Sequence, residues 1–222
     1  MATEKSELAR TLNELQSKLR SVLTERGFRN RGRTFNRTTS DRLTEVVQIQ
    51  MGRFDPPGTT YFPGLRENLY GKFTVNLGVR VPEVAEQQGL SAPKSFVQEY
   101  HCCVRTRLGR LGLEPIDRWW DIRRDEALTE ELRQRLIRDA IPFFERFETR
   151  DAILSELLAV TKSPYAITPP RIVCAIILAG RGQAIEARAL LAEQAKETKN
   201  PGHPAYVRSL TERLGLGTLD GS

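Results

Sequence analysis

The hydrophobic periodicity changes abruptly at Gly27, and this change constrains the fold more than any other feature of the sequence. Before Gly27, apolar residues recur every three or four positions: Leu8, Leu12, Leu15, Leu19 and Val22. That spacing predicts an amphipathic helix, which Gly27 is placed to end. After Gly27 the period falls to two, which is typical of half-buried strands. We therefore expect a helix whose apolar stripe is covered by a sheet.

Two segments after Gly27 alternate clearly between apolar and polar residues. Residues 72–81 place Phe73 and four other apolar side chains on one face, and residues 44–51 alternate in the same way, with Val46 as the exception. A shorter strand is predicted over residues 33–38, and a fourth strand over residues 96–107. No long helical crossover separates the first pair, so the pattern predicts an antiparallel meander.

Helical periodicity returns after Thr129. One predicted stripe ends at Pro142 and consists of Leu132, Leu136, Ile137 and Ala140. Further helices are predicted near residues 153–160, 172–179, 184–195 and 205–214. The predicted fold class is α+β, with an N-terminal helix packed on an antiparallel sheet of about four to five strands, followed by a C-terminal helical segment. We predict a mixed domain over residues 1–147 and a helical extension containing a helical hairpin over residues 148–222.

Composition bears on the compartment and on the class of partner. The chain has 222 residues, a net charge of +6 and three cysteines. Three cysteines make no disulfide framework, and no apolar run approaches the length of about 20 residues that a membrane helix needs. Since the N-terminus also lacks an apolar leader, the expectation is a cytoplasmic protein without a membrane segment. The positive excess lies in residues 1–124, which carry 21 Lys and Arg against 14 Asp and Glu.

The sequence offers no clear catalytic, metal or cofactor site. Of the two histidines, His203 lies between Gly202 and Pro204 in what we interpret as a linker, which leaves His101. His101 and Cys103 fall on one predicted strand face, yet no second ligand pair is spaced to complete a zinc site. An enzyme centred on His101, Cys103 and Arg105 is the weakest alternative. We predict no cofactor and no metal.

The strongest candidate site is the polar face of the predicted sheet. If the strands pair in sequence order, amide, hydroxyl and basic side chains lie side by side on it: Thr34, Asn36, Gln48, Gln50, Thr74, Asn76, His101 and Arg105. Such a surface is suited to a polar ligand or peptide, and it is equally typical of the solvated face of an antiparallel sheet. The long connection after Gly52, with Tyr61 and Phe62, is a candidate addition to it.

A second candidate is a basic ribbon between residues 26 and 42. Its arginines, opposed there by Asp41 alone, are Arg26, Arg29, Arg31, Arg33, Arg37 and Arg42. If this ribbon bound phosphates, binding would be electrostatic and strongly dependent on salt. The alternative is a solvated hairpin whose Phe28 and Phe35 belong to the core.

Several short motifs, in order, resemble a known bacterial family. They are Gly27-Phe28-Arg29, the run from Arg33 to Arg37, Val47-Gln48-Ile49-Gln50, the run from Phe73 to Val79, Arg107-Leu108-Gly109 and Trp119-Trp120. Over roughly residues 8–147 the chain is similar to the family catalogued as domain of unknown function four-three-zero-four. The resemblance implies no particular activity, and its bacterial setting suggests a toxin-neutralising or defence context.

Two functional hypotheses follow from the sequence. The first is a non-catalytic cytosolic interaction module that docks a protein partner on the polar sheet face. The second is a nucleic-acid-binding accessory protein that uses the basic ribbon, Arg29, Arg31, Arg33 and Arg37 above all. No membrane partner is expected.

Overall fold

A computed structural model describes residues 2–52, 68–90, 96–112, 115–197 and 202–218. The first helix, α1, spans Ala2–Thr24. Gly27 follows it with φ +83°, a left-handed conformation that glycine adopts at no steric cost. The N-terminal helix predicted from the leucine spacing is therefore confirmed.

The sheet is an antiparallel meander of six strands. The strands are β1 (Arg29–Arg31), β2 (Thr34–Thr38), β3 (Thr44–Met51), β4 (Lys72–Arg80), β5 (Val104–Arg107) and β6 (Trp120–Asp121). The strand order is β1-β2-β3-β4-β5, and β6 pairs with the beginning of β4. The predicted antiparallel sheet is confirmed, with short edge strands that the sequence pattern did not show.

The remaining elements are helical. They are α2 (Pro82–Gln87), α3 (Glu126–Arg135), α4 (Ile141–Arg146), α5 (Arg150–Leu158), α6 (Pro170–Gly180), α7 (Ala184–Glu197) and α8 (Gly202–Arg213). A π-helical turn over Leu136–Ala140 joins α3 to α4. In the described part of the chain, no helix has both the length and the apolar character required to cross a bilayer.

One hydrophobic cluster runs through both predicted domains. It joins the buried leucines of α1 and the apolar face of the sheet to residues as distant as Val207 and Leu210 of α8. Cys174, interpreted as a core residue, is fully buried in it. The sheet and the C-terminal helices therefore share a core, and the boundary at residue 147 stays a prediction.

Four local predictions are wrong. The segment before β5 contains a 3-10 turn over Glu99–His101, so the strand expected from Phe96 is much shorter. Ile137 is 39% exposed, because residues spaced by four, Leu136 and Ala140, occupy the buried side instead. His203 lies in α8 and not in a linker. The helical stripe was expected to end at Pro142, but α4 begins at Ile141 and includes Pro142 in its first turn, where proline is tolerated.

Candidate functional site

The register of the strands places the predicted polar residues on one face of the sheet. Thr34 pairs with Gln48, Gln48 with Asn76, and Asn76 with Arg107, so these four side chains form a row across β2 to β5. In an antiparallel sheet, directly opposite residues point to the same side. Gln50 and Thr74 form a second, shorter row beside it.

The segment from Phe96 to Cys103 crosses this face and covers its middle. The Oε1 atom of Gln98 accepts hydrogen bonds from Thr34 Oγ1 at 3.1 Å and from Gln48 Nε2 at 2.9 Å. Asn36 fixes the backbone of Val97 from both sides, because its Oδ1 accepts from the Val97 amide and its Nδ2 donates to the Val97 carbonyl. We call residues 96–103 the covering segment.

Apolar contacts also hold the covering segment. Val46, which interrupts the alternation of β3, lies on the polar face and forms a small buried cluster with Val97 and Cys102. Gly78 lies under Cys102, and a Cβ atom at Gly78 would stand 2.8 Å from the Cys102 Sγ atom. The exception in the β3 pattern therefore marks the place where another segment packs on the sheet.

His101 does not join the row of polar side chains. It ends the 3-10 turn, where its Nδ1 atom accepts a hydrogen bond of 3.0 Å from the amide of Gln98. Cys103 points into the core, and burial raises its pKa to about 11. Among the described residues, no three His, Cys, Asp or Glu side chains are grouped as metal ligands.

An open cleft of about 340 Å³ remains at one end of the polar face. Three predicted face residues line it, together with residues of β5, the following turn and the chain before α6. The full lining is Gln50, Asn76, Glu99, Arg105, Thr106, Arg107, Arg110, Asp117 and residues 164–167. We call it the arginine cleft.

Carboxylates hold the arginines of this cleft in place. Glu99, whose side chain is 12% exposed, accepts two hydrogen bonds from Arg105. Asp117 accepts from Arg107 at 2.7 and 2.5 Å and from Arg110 at 3.2 Å. Burial acts to raise the pKa of Asp117, but Arg107 and Arg110 lower it overall. Asp117 is therefore ionised at neutral pH, and both carboxylates are already paired with arginines.

Hydrogen-bond donors are in excess in the arginine cleft. Asn76 donates to Gln50 Oε1 at 2.7 Å, which leaves the Nε2 atom of Gln50 without a partner among the described residues. The Nη1 atom of Arg105 and the Nη2 atom of Arg107 are likewise unpaired within the described chain. Such a cleft is suited to a ligand rich in acceptor oxygens, because its own acceptors are occupied.

The basic ribbon is divided between the two faces of the sheet. Arg33 reaches α1, donating to Asn13 Oδ1 at 2.9 Å, and Arg37 donates to Glu45 Oε2 at 2.5 Å on the core side. Arg29 and Arg31 are exposed and lie opposite Asn36 and Thr34, on the polar face. The structure therefore does not bring the four ribbon arginines together on one surface.

Sequence reasoning missed Arg107, Arg110, Glu99 and Asp117. The alternation that placed Arg105 on the polar face also places Arg107 there, so the sequence pattern could have predicted Arg107 as a site residue. Asp117 and Arg110 lie in the connection between β5 and β6. The sequence has no periodic pattern there that could predict which residues line the cleft. Tyr61 and Phe62, also predicted as candidates, lie outside the described residues.

The fold and the cleft define an α+β protein with a polar, arginine-lined surface and no group of metal ligands among its described residues. Residues 64–146 match the model of the family described as Domain of unknown function (DUF4304). This confirms the family resemblance, over a shorter stretch than residues 8–147. No curated protein and no solved structure matches the chain.

Proposed function

We propose that this chain is a non-catalytic protein-interaction module, and that the arginine cleft binds a carboxylate-bearing segment of a protein partner. The observation that carries the proposal is the excess of donors in the cleft. Arg105, Arg107 and Gln50 each present an unpaired N–H group among the described residues, while Glu99 and Asp117 are already occupied. Aspartate, glutamate or a chain terminus supplies the acceptor oxygens that these donors need.

The surroundings of the cleft support a protein rather than a small polar ligand. Ile167, which lines the cleft, is 69% exposed, and Tyr100, next to Glu99, is 57% exposed. The guanidinium of Arg107 lies 5.1 Å from the ring centroid of Trp119. Tyrosine, tryptophan and arginine are the residues that most often dominate protein interfaces.

The arginines are also pre-organised for binding. Ion pairs with Glu99 and Asp117 fix the guanidinium groups of Arg105 and Arg107, so little side-chain freedom is left to lose on association. An exposed apolar side chain at Ile167 then offers an anchor for an apolar residue beside the partner's carboxylate.

Site-specific photo-crosslinking in the native cells tests the proposal. A benzophenone amino acid in place of Ile167 is expected to give a discrete crosslinked protein product. The same probe in place of Ile185, which is 85% exposed on α7, is the matched control and is expected to give none. Equal products at both positions would reject the arginine cleft as the docking surface.

A charge reversal identifies the contribution of the arginines. Arg110, whose side chain is 55% exposed, contacts Asp117 at the edge of the cleft. We expect Arg110→Glu to abolish the crosslink from position 167 through repulsion of the partner's carboxylate. Arg208→Glu, an equally drastic change at an exposed position of α8, should leave it intact. A crosslink that survives R110E would contradict a carboxylate-bearing partner.

Nucleic acid is the competing outcome of the same experiment. If nuclease treatment returns the product at position 167 to the mass of the uncrosslinked chain, the accessory nucleic-acid-binding hypothesis replaces the protein-binding one. The contacts of Arg33 with α1 and of Arg37 with Glu45 favour the protein partner, because they direct two of the four ribbon cations away from the polar face. A cytoplasmic location and a toxin-neutralising or defence role are parts of this proposal that a sequenced crosslinked partner would test.

A further inference from the structure

A cleft of about 640 Å³ lies between the connection that joins β5 to β6 and the last turns of α3. It is distinct from the arginine cleft, because the described residues that line the two clefts are all different. Its lining consists of Leu111, Gly112, Ile116, Arg118, Glu131, Gln134, Arg135, Arg138 and Asp139. We call it the α3 cleft. Clefts of this size are typical of sites for small organic ligands.

The π-helical turn after α3 supplies part of the wall of the α3 cleft. It spans Leu136–Ala140 and carries two of the lining residues, Arg138 and Asp139. Helix continues on both sides of it, as α3 before and as α4 after. Single π-helical turns inside helices are rare and occur frequently at functional sites. The position of this turn in the wall is therefore one observation that indicates a binding site.

Arg135 is a nearly buried cation that lines the α3 cleft and keeps one donor unpaired. The residue is 8% exposed. Its Nε atom donates to Asp139 at 3.1 Å, and its Nη2 atom donates to the carbonyls of Leu108 and Leu111. The Nη1 atom has no hydrogen-bond partner among the described residues, and it is not buried. Because Arg135 lines the cleft, this remaining donor is available to a ligand there.

Two exposed arginines converge on the same cleft. Arg138 shares the carboxylate of Asp139 with Arg135. The guanidinium carbon atoms of Arg118 and Arg135 each lie 5.8 Å from the centroid of the Trp120 ring. The Nη1 atom of Arg138 and the Nη2 atom of Arg118 have no partner among the described residues. Three guanidinium groups with spare donors are therefore gathered at one cleft.

The two carboxylates of the α3 cleft are already paired with these arginines. Asp139 accepts hydrogen bonds from Arg138 at 2.7 and 2.9 Å in addition to the one from Arg135. Burial acts to raise the pKa of Asp139, but the hydrogen bonds from Arg138 and Arg135 lower it overall. Glu131 accepts from Arg118 at 3.2 Å. With three arginines against two carboxylates, the lining has a formal charge of +1.

We propose that the α3 cleft binds a small organic monocarboxylate with an apolar body. The carboxylate oxygens accept hydrogen bonds from the spare donors of Arg118, Arg135 and Arg138. A phosphate ester carries nearly two negative charges, so a monocarboxylate matches the single net charge of the lining better. The apolar body lies against Ile116, which is 55% exposed, and the half-buried Leu111. The site is independent of the arginine cleft and of its protein partner.

An NMR titration of the ¹⁵N-labelled chain with hexanoate tests the site. The amide signal of Gly112, in the α3 cleft, should shift saturably, whereas that of Thr106, in the arginine cleft, should not move. Acetate lacks the apolar chain and 1-hexanol lacks the charge, so each should bind about tenfold more weakly. No saturable shift of Gly112, or a shift of Thr106 alone, would overturn the proposal. Tighter binding of hexyl phosphate than of hexanoate would overturn the monocarboxylate assignment.

Matched arginine variants separate a site from non-specific attraction of an anion. Arg138→Met removes one guanidinium from the cleft at an exposed position, and we expect it to weaken hexanoate binding by about tenfold. Arg133→Met is the control, because Arg133 lies on α3 and pairs with Glu130 but is not a lining residue. This control should bind hexanoate like the wild type. Equal affinities of R138M and the wild type would overturn the proposal.

A second pair of variants tests the apolar contact and does not depend on the arginines. Ile116→Ser deletes the exposed apolar side chain of the cleft, so its affinity for hexanoate should fall toward that of the wild type for acetate. Ile185→Ser, at an exposed position of α7, should leave hexanoate binding unchanged. An affinity for hexanoate that is the same in I116S and in the wild type would refute the proposed site.

Discussion

Glu45 is the residue at which charge and burial conflict most clearly. It is fully buried in β3, and its Oε1 atom has no partner among the described residues. Burial raises the pKa of Glu45, although Arg37 acts to lower it, and the hydrogen bond to Glu45 raises the pKa of Arg37. The guanidinium therefore stays charged, and ionisation of the carboxylate is the step that costs folding free energy.

This conflict predicts a pH dependence of stability. A folded-state pKa above the ordinary value of 4.5 means that the contribution of Glu45 is fully present below that value and is lost as the pH rises through the folded pKa. The free energy of unfolding of the wild type should therefore fall relative to that of Glu45→Gln as the pH rises above the ordinary pKa of 4.5. Urea denaturation at a series of pH values measures the difference.

Glu156 supplies a control of opposite sign. Its hydrogen bond with Arg146 lowers the pKa of Glu156, so the stability that the wild type has over Glu156→Gln should be lost as the pH falls. The effect should be small, because the Glu156 side chain is 32% exposed. If the Glu45 and Glu156 variants change in the same direction, the assignment of Glu45 is wrong.

At the scale of elements, alternation located the central strands and failed at the covering segment. The predicted strand over residues 44–51 has the observed bounds of β3, because its apolar face packs into the core and enforces a period of two. The covering segment is held instead by single contacts such as Gln98 with Gln48 and Val97 with Asn36. Contacts between residues so distant in sequence produce no periodic pattern. In the sequence, the covering segment is indicated only by Val46, the apolar residue that interrupts the alternation of β3.

The close contact of the covering segment with the sheet gives the element-scale prediction. Gly78→Ala would place a Cβ atom 2.8 Å from both Cβ and Sγ of Cys102, so we expect a loss of about 1–3 kcal/mol in the free energy of unfolding. Cys102→Gly removes both atoms. The double variant should therefore be more stable than the sum of the two single changes predicts, as measured in a double-mutant cycle. If the changes in the free energy of unfolding are additive, the cost of Gly78→Ala does not come from a clash with Cys102.

At the scale of the whole molecule, the C-terminal helices are tied to the sheet by polar as well as apolar contacts. The amide of Arg105 in β5 donates to the carbonyl of Tyr165 at 2.6 Å, and the Tyr165 ring contacts Phe143 and Phe147. Arg150 of α5 pairs with Glu83 of α2. The sequence predicts a boundary at residue 147 because strands and helices are segregated along the chain, and that boundary stays a prediction. The core that the two parts share has no local sequence pattern that could predict it.

A shared core predicts one cooperative unfolding transition. Both tryptophans lie before residue 147, so their fluorescence reports the sheet region, whereas far-UV circular dichroism is dominated by the helices. The two probes should give the same denaturant midpoint. Arg150→Ala should lower that midpoint equally for both, by about 2 kcal/mol in the free energy of unfolding, because it removes the side-chain hydrogen bonds to Glu83 and to the Asp41 carbonyl. Arg208→Ala, at an exposed position, should change neither probe. Separate midpoints, with R150A moving only one of them, would instead mean that residues 148–222 fold as a unit distinct from the sheet.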